Sequence, residues 1–141
     1  MIDDLWIPGN PKTKGSLDVV NAGGPGRRPV LTDSPVSKRW RQLMAYAVGA
    51  HAIARDNEGQ ALGWPLDGAV WVSAVFHLRA GKDGTVTGSR VGDLDKLARN
   101  LLDALQDAGV YADDTQVSRL LLDKVPAGDR GPGVALRVWQ P

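Results

Sequence analysis

Two acidic clusters frame one short stretch of the chain. "GDLDK" at 92–96 carries Asp93 and Asp95 one residue apart, and "YADDTQ" at 111–116 carries Asp113 and Asp114. From Asp93 to Asp114 there are six acids against Lys96 and Arg99, a net charge of −4. Carboxylates brought together repel unless a cation neutralises them. Mg²⁺ suits such a site, because it keeps several waters and is held by a few carboxylates plus substrate phosphate. From Gly9 to Arg41 the balance reverses: Lys12, Lys14, Arg27, Arg28, Lys38, Arg39 and Arg41 stand against Asp18 and Asp33, a net +5. An acidic focus beside a basic segment is what a phosphate-handling metalloenzyme needs.

Each acid also has a plainer reading. Asp93 can cap a helix, Asp95 can favour its dipole, Asp103 can pair with Arg99, and Asp113 and Asp114 can cap a turn. A calcium loop is excluded by spacing, since from Asp93 the sixth position is Ala98 rather than Gly and the twelfth is Ala104 rather than Glu. A helix of some sixteen residues separates the two acid groups by roughly 24 Å, so they meet only if the chain returns alongside it.

The elements that must position these residues follow from periodicity. Strands are expected at 2–8, 69–79, 117–125 and 133–139, and helices at 35–57 and 93–108. Ser34-Pro35 reads as an N-cap followed by proline in the first turn. Trp40, Leu43, Met44, Ala47 and Ala54 are expected on the buried face of the first helix. Leu94, Leu97, Leu101, Leu105 and Ala108 form the stripe of the second, which Gly109 stops. Val70, Val72, Ala74, Phe76 and Leu78 share one strand face, and Trp71 and Val75 suggest cover on the other. Residues 9–34 read as a long loop, 80–92 as a glycine-rich one, and the last two strands as flanking the "PAGDRGP" turn. The fold class is α+β, a small mixed sheet with two helices packed on it, in one domain over 1–141.

Composition narrows the chemistry. The chain of 141 residues is 43% hydrophobic and 23% charged, ordinary for a globular protein. No apolar run approaches a membrane span, so no membrane association is expected. "MIDDLWIPGN" opens with acids where an export signal would be basic, and a cytoplasmic setting is the expectation. With no cysteine and only His51 and His77, thiolate zinc sites and cysteine nucleophiles are excluded and a zinc hydrolase is disfavoured. Trp6, Trp40, Trp71 and Trp139 read as packing residues, with Trp64 a candidate for base stacking. "GGPGRRP" lacks the Lys-Ser/Thr ending of a phosphate-binding loop and fits a DNA-clasping or disordered loop better.

The stretch "GDLDKLARNLLDALQDAGVYADDTQV" resembles the signature of the RusA-like family of Holliday junction resolvases, metal-dependent endodeoxyribonucleases of bacteria and phages. Asp93 and Asp95, then Asp103-Ala104-Leu105, Gly109 and Asp113-Asp114 carry it, and "WIPGNPKTKGS" is similar to the family's N-terminal segment. The resemblance implies that Asp93, Asp95 and Asp114, with Asp113 as a neighbour, bind Mg²⁺ (or Mn²⁺ in its place). The family has Asn after the acid pair and Lys one turn into the helix. Here Lys96 and Arg99 stand there, and Arg99 offers charge without readily surrendering a proton. Lys12, Lys14, Arg27, Arg28, Lys82 and Arg90 would grip phosphates. The implied function is cutting of four-way junctions by paired nicks, in recombination and repair, by a homodimer matching the junction's two-fold symmetry. Two other readings stand beside it: a branched-DNA binder with weak or no cleavage, and a structural protein whose acids only cap.

Overall fold

The computed structural model describes residues 1–14, 17–20, 30–88 and 91–141. Its elements are β1 (Ile2–Pro8), β2 (Leu17–Val20), β3 (Val30–Asp33), α1 (Pro35–Asn57), β4 (Val70–Leu78), α2 (Leu94–Asp107), β5 (Val117–Pro126) and β6 (Gly133–Trp139), with a 3-10 turn at Asp114–Gln116. Four strands form one mixed sheet in the order β1-β6-β4-β5. β4 and β5 run parallel, while β6 is antiparallel to both β4 and β1. A parallel pair cannot be closed by a tight turn. Here α2 is the crossover, and the α+β fold class expected from the sequence is the one observed.

The last two strands flank the "PAGDRGP" turn as expected, with β4 lying between them in the sheet and pairing with both. Two expectations are corrected. The 9–34 stretch is not all loop: β2 and β3 pair antiparallel from Leu17↔Asp33 to Val20↔Val30. Four residues are too few to display a readable alternation. Among the described residues, helices also cover only one face of the sheet. Val70, Val72, Ala74, Phe76 and Leu78 are buried and join one core with residues of α1 and α2, whereas Trp71, Ser73, Val75 and His77 are only half-buried. That outer face shields itself: Trp71 meets Trp139 edge-on at 6.0 Å and Trp6 meets His77 at 5.1 Å. Arg119, Arg130 and Arg137 lie over Trp71, Trp6 and Trp139. Gly133 makes room for the Trp6 ring, since a Cβ there would fall 2.5 Å from both that ring and the Ile7 carbonyl.

α1 begins as its sequence dictates, with the Ser34 hydroxyl accepting the Ser37 N–H at 3.1 Å and Pro35 in the first turn. Its buried face is Ser37, Trp40, Met44 and Val48, rotated from the expected one, so that Leu43 and Ala54 are exposed. The rotation follows from a polar contact that hydrophobic periodicity cannot register. Asn100 on α2 is 1% exposed, and its amide Nδ2 donates to the carbonyls of Lys12 (3.0 Å) and Ser37 (3.2 Å). The Ser37 hydroxyl lies 3.3 Å from the same nitrogen and donates to the Thr13 carbonyl at 2.8 Å. The Lys14 N–H reaches the Lys96 carbonyl at 3.0 Å. Two helices and the segment after β1 are thereby tied at one buried point.

Removing the amide leaves buried carbonyls without donors, which costs more than one average hydrogen bond. Asn100→Ala is expected to lower stability by about 1–3 kcal/mol, read from urea denaturation midpoints with an unchanged slope.

Candidate metal centre and phosphate-handling surface

α2 carries the first acid pair at its N-terminus, where backbone N–H groups and the helix dipole favour negative charge. Asp93 occupies the N-cap position without a side-chain capping bond, and Asp95 lies in the first turn. Both carboxylates face water. Asp93 pairs with Lys96 at 3.5 Å and Asp95 with Arg99 at 3.8 Å. Exposed pairs of this length are weak, so both acids can exchange their partners for a stronger cation. The helix start is held from two sides. Lys124 Nζ on β5 donates to the Gly92 carbonyl at 3.0 Å. Gly92 has φ +105°, and a Cβ there would lie 3.1 Å from the Thr13 methyl group.

The second pair is at the opposite end. α2 spans 14 residues, roughly 20 Å. Beyond it, the Asp114 N–H donates to the Gln106 side chain at 3.2 Å. Asp113 caps the 3-10 turn, its Oδ1 accepting the Thr115 N–H at 2.9 Å, while the Gln116 side chain accepts the N–H groups of Ala112 and Asp113. The backbone bond from Thr115 holds the Asp113 carboxyl below its ordinary pKa. β5 does run back along α2, but the acids sit where it starts. One chain therefore does not bring Asp113 and Asp114 to Asp93 and Asp95. Among the described residues no three His, Cys, Asp or Glu side chains converge as a metal site.

Asp103 pairs with Lys14 and lies 3.8 Å from Arg41, instead of taking the Arg99 partner expected four residues earlier. Arg41 grips Asp107 through Nε at 2.6 Å and Nη2 at 2.9 Å, and this hydrogen bonding draws the Asp107 carboxyl below its ordinary range. The Lys14 charge is thus engaged inside the protein instead of standing free for a phosphate. Lys12 and Lys82 are exposed. Arg27, Arg28, Arg90 and the "GGPGRRP" loop lie outside the described residues. His77 packs against Trp6, burial lowers the pKa of the half-buried His51, and Trp64 packs partly buried against the core.

Two cations near the site carry no signal in the sequence motif. Arg79 follows the last residue of β4 and lines a cleft of ≈270 Å³ with Asn10, Pro11, Lys12, Leu78 and Val91. Lys124 pins the start of α2. Periodicity places both simply at the ends of expected strands. The available signal was position: in parallel β-α-β units, sites form beyond the carboxyl ends of the strands, where Arg79 stands.

The donor set fits a hard divalent cation in part. Asp93 and Asp95 supply oxygen ligands at one helix end, and Mg²⁺ needs only one or two carboxylates when substrate phosphate completes its shell. Asp114 from the same chain cannot join them.

Two tests follow. Asp113→Ala is expected to lower the melting temperature by removing the turn cap, while Asp113→Asn retains it; circular dichroism melts measure both. The folded pKa of Asp107 lies below its unfolded value. Its contribution to stability is therefore complete above about pH 4 and is lost as pH falls through the folded value. Arg41→Ala is expected to flatten this acid-side loss in denaturation midpoints.

The sequence profile described as Endodeoxyribonuclease RusA matches residues 8–138 of the chain. No curated protein matches it.

Proposed function

The chain belongs to the RusA endodeoxyribonuclease family, and from that premise we propose that it is a Mg²⁺-dependent nuclease that resolves four-way DNA junctions by paired nicks. The observation that carries the reading is the separation of the two acid pairs by the length of α2. A metal site that includes Asp114 then needs a second copy of the chain.

The exposed side of α2 suggests how. Asp95, Arg99 and Gln106 are exposed along it, with Leu102 half-buried between them. Two copies related by a two-fold axis, with their α2 helices antiparallel across this stripe, would set Asp93 and Asp95 of one beside Asp113 and Asp114 of the other. Two equivalent sites about 20 Å apart would result, matching two symmetric scissile strands. The dimer and the metal site are then one requirement.

Within each site Asp93, Asp95 and the partner's Asp114 would hold the ion. When bound, it supplies activation of water and neutralisation of charge at the scissile phosphate. Lys96 and Arg99, released from their weak pairs, would offset charge developing on that phosphate. Lys12, Lys82, Arg27, Arg28 and Arg90 would position flanking backbone without reading sequence. Mn²⁺, also a hard cation with oxygen preference, would replace Mg²⁺. The setting would be recombination and repair in the cytoplasm of a bacterial or phage-infected cell.

One observation favours a second reading, a branched-DNA binder with weak or no cleavage. Arg99 sits beside Asp95 where a proton-donating lysine is expected, and its guanidinium stays charged.

The test is cleavage of a labelled four-way junction by wild type, Asp95→Asn and Asp114→Asn, with Mg²⁺ and with EDTA. Each variant alone is expected to bind without cutting. Co-refolding the two inactive variants gives mixed dimers with one complete site, restoring about a quarter of wild-type nicking as single nicks. Failure to restore any nicking would sink the shared site. Binding without cutting by the wild type would favour the binder, and Arg99→Lys would then be expected to gain cleavage.

A further inference from the structure

We propose that the cleft at the carboxyl end of β4 is the seat of a single nucleotide flanking the scissile phosphate, with Arg79 and Lys12 on its phosphate and Asn10 against its base edge. The inference rests on the nuclease reading, narrows the part that Lys12 plays in it and assigns a task to Asn10 and Arg79, which that reading leaves idle.

The cleft holds ≈270 Å³ and combines two chemistries. Pro11, Leu78 and Val91 form an apolar floor, with Leu78 4% exposed and Pro11 buried. Asn10, Lys12 and Arg79 stand exposed at its rim. No acid lines it, and neither Lys12 nor Arg79 forms an ion pair among the described residues. Around α2, by contrast, Lys14, Arg41, Lys96, Arg99 and Lys124 are each matched to a carboxylate or a carbonyl. Two unmatched cations over an apolar floor call for an anion that carries a flat apolar body, which is the chemistry of a nucleotide. A pocket just below the volume of drug-sized sites suits one such unit.

Its position sets which nucleotide. Val91 lines the cleft and Asp93 lies two residues on, at most about 7 Å of chain away. A strand held with one phosphate at Asp93 and Asp95 has its neighbouring nucleotide within reach of the cleft.

The rim is built before DNA arrives. Gly81 N–H donates to the Thr85 carbonyl at 2.9 Å, and Gly84 N–H donates to the Gly81 carbonyl at 2.9 Å. Asp83 Oδ1 accepts both the Thr85 N–H (3.0 Å) and its hydroxyl (2.9 Å). Val86, 6% exposed, anchors the loop to the core. On the other wall the Lys12 carbonyl is fixed by Asn100 and the Gly9 N–H by the Pro132 carbonyl at 3.1 Å. The Asn10 carboxamide has no hydrogen-bond partner among the described residues, so its donor and acceptor remain available for a base edge.

The experiment uses junctions in which the base beside the cut is permuted. Wild type and variants are compared for the distribution of cut sites and for the dependence of binding on salt. Arg79→Gln is expected to reduce the slope of log affinity against log salt by about one, as loss of a phosphate contact does, with an unchanged melting temperature. Asn10→Ala is expected to flatten the base preference at one position by about tenfold, as loss of a bidentate base contact does. An unchanged slope in Arg79→Gln together with an unchanged distribution in Asn10→Ala, while wild type cuts junctions, would overturn the subsite alone. Wild type that neither binds nor cuts any junction would overturn the nuclease reading and the subsite with it.

Discussion

The buried amide of Asn100 is the contact on which the rest of the arrangement depends. Its hydrogens satisfy carbonyls from the segment after β1 and from α1, while its own backbone belongs to α2. A hydrophobic residue at this position would still pack α1 on α2, but the 10–14 segment would lose one of the few bonds that fix its course along the start of α2, leaving the Ser37–Thr13, Lys14–Lys96 and Lys14–Asp103 contacts to hold it. That segment brings Asn10 and Lys12 to one side of the acid pair and Lys14 to Asp103. Burying a polar group is unfavourable unless it is satisfied. That same unfavourable term makes the register specific, because any slip strands the amide.

α2 acts as a ruler. At its start Asp93 and Asp95 lean on Lys96 and Arg99 through long, exposed pairs, and along its side Asp103 and Asp107 are held by Lys14 and Arg41. The acids of one element thus divide by partner. Those in the second half are locked into structure, and those at the tip are loosely held and open to exchange. Charge balance along the sequence suggested one acidic focus. The folded chain instead has a structural acidic patch between two exposed ends.

Much of this was legible in the residues themselves. The α1 boundaries were visible because Ser34-Pro35 is a strong local stop-and-start signal. The β4 core was visible because Val70, Val72, Ala74, Phe76 and Leu78 recur at every second position in a run rich in β-branched and aromatic residues, and burial in the structure follows that same period. The motif from Asp93 to Asp114 carried the family. What was not legible was set by partners distant in sequence. The rotation of α1 away from Leu43 depends on Asn100, the diversion of Asp103 from Arg99 depends on Lys14, and the place of β6 between β1 and β4 depends on pairings across the whole chain. Spacing along one helix also could not say whether Asp114 returns to Asp93. That is a question of strand direction, and the parallel pairing of β5 with β4 answers it by putting the acids of each end where that end lies.

The insertion of β6 between β1 and β4 bears on when the protein comes into being during synthesis. β6 is the last strand of the sheet to leave the ribosome, and until it arrives β1 has no neighbour at all, while β4 has only β5. Pairings this remote in sequence close slowly. The candidate metal-binding acids and phosphate-binding cations are all translated before β6, yet the floor beneath them is then incomplete. A chain in which β6 has not yet joined the sheet would therefore hold the ingredients of a nuclease without the platform that aligns them.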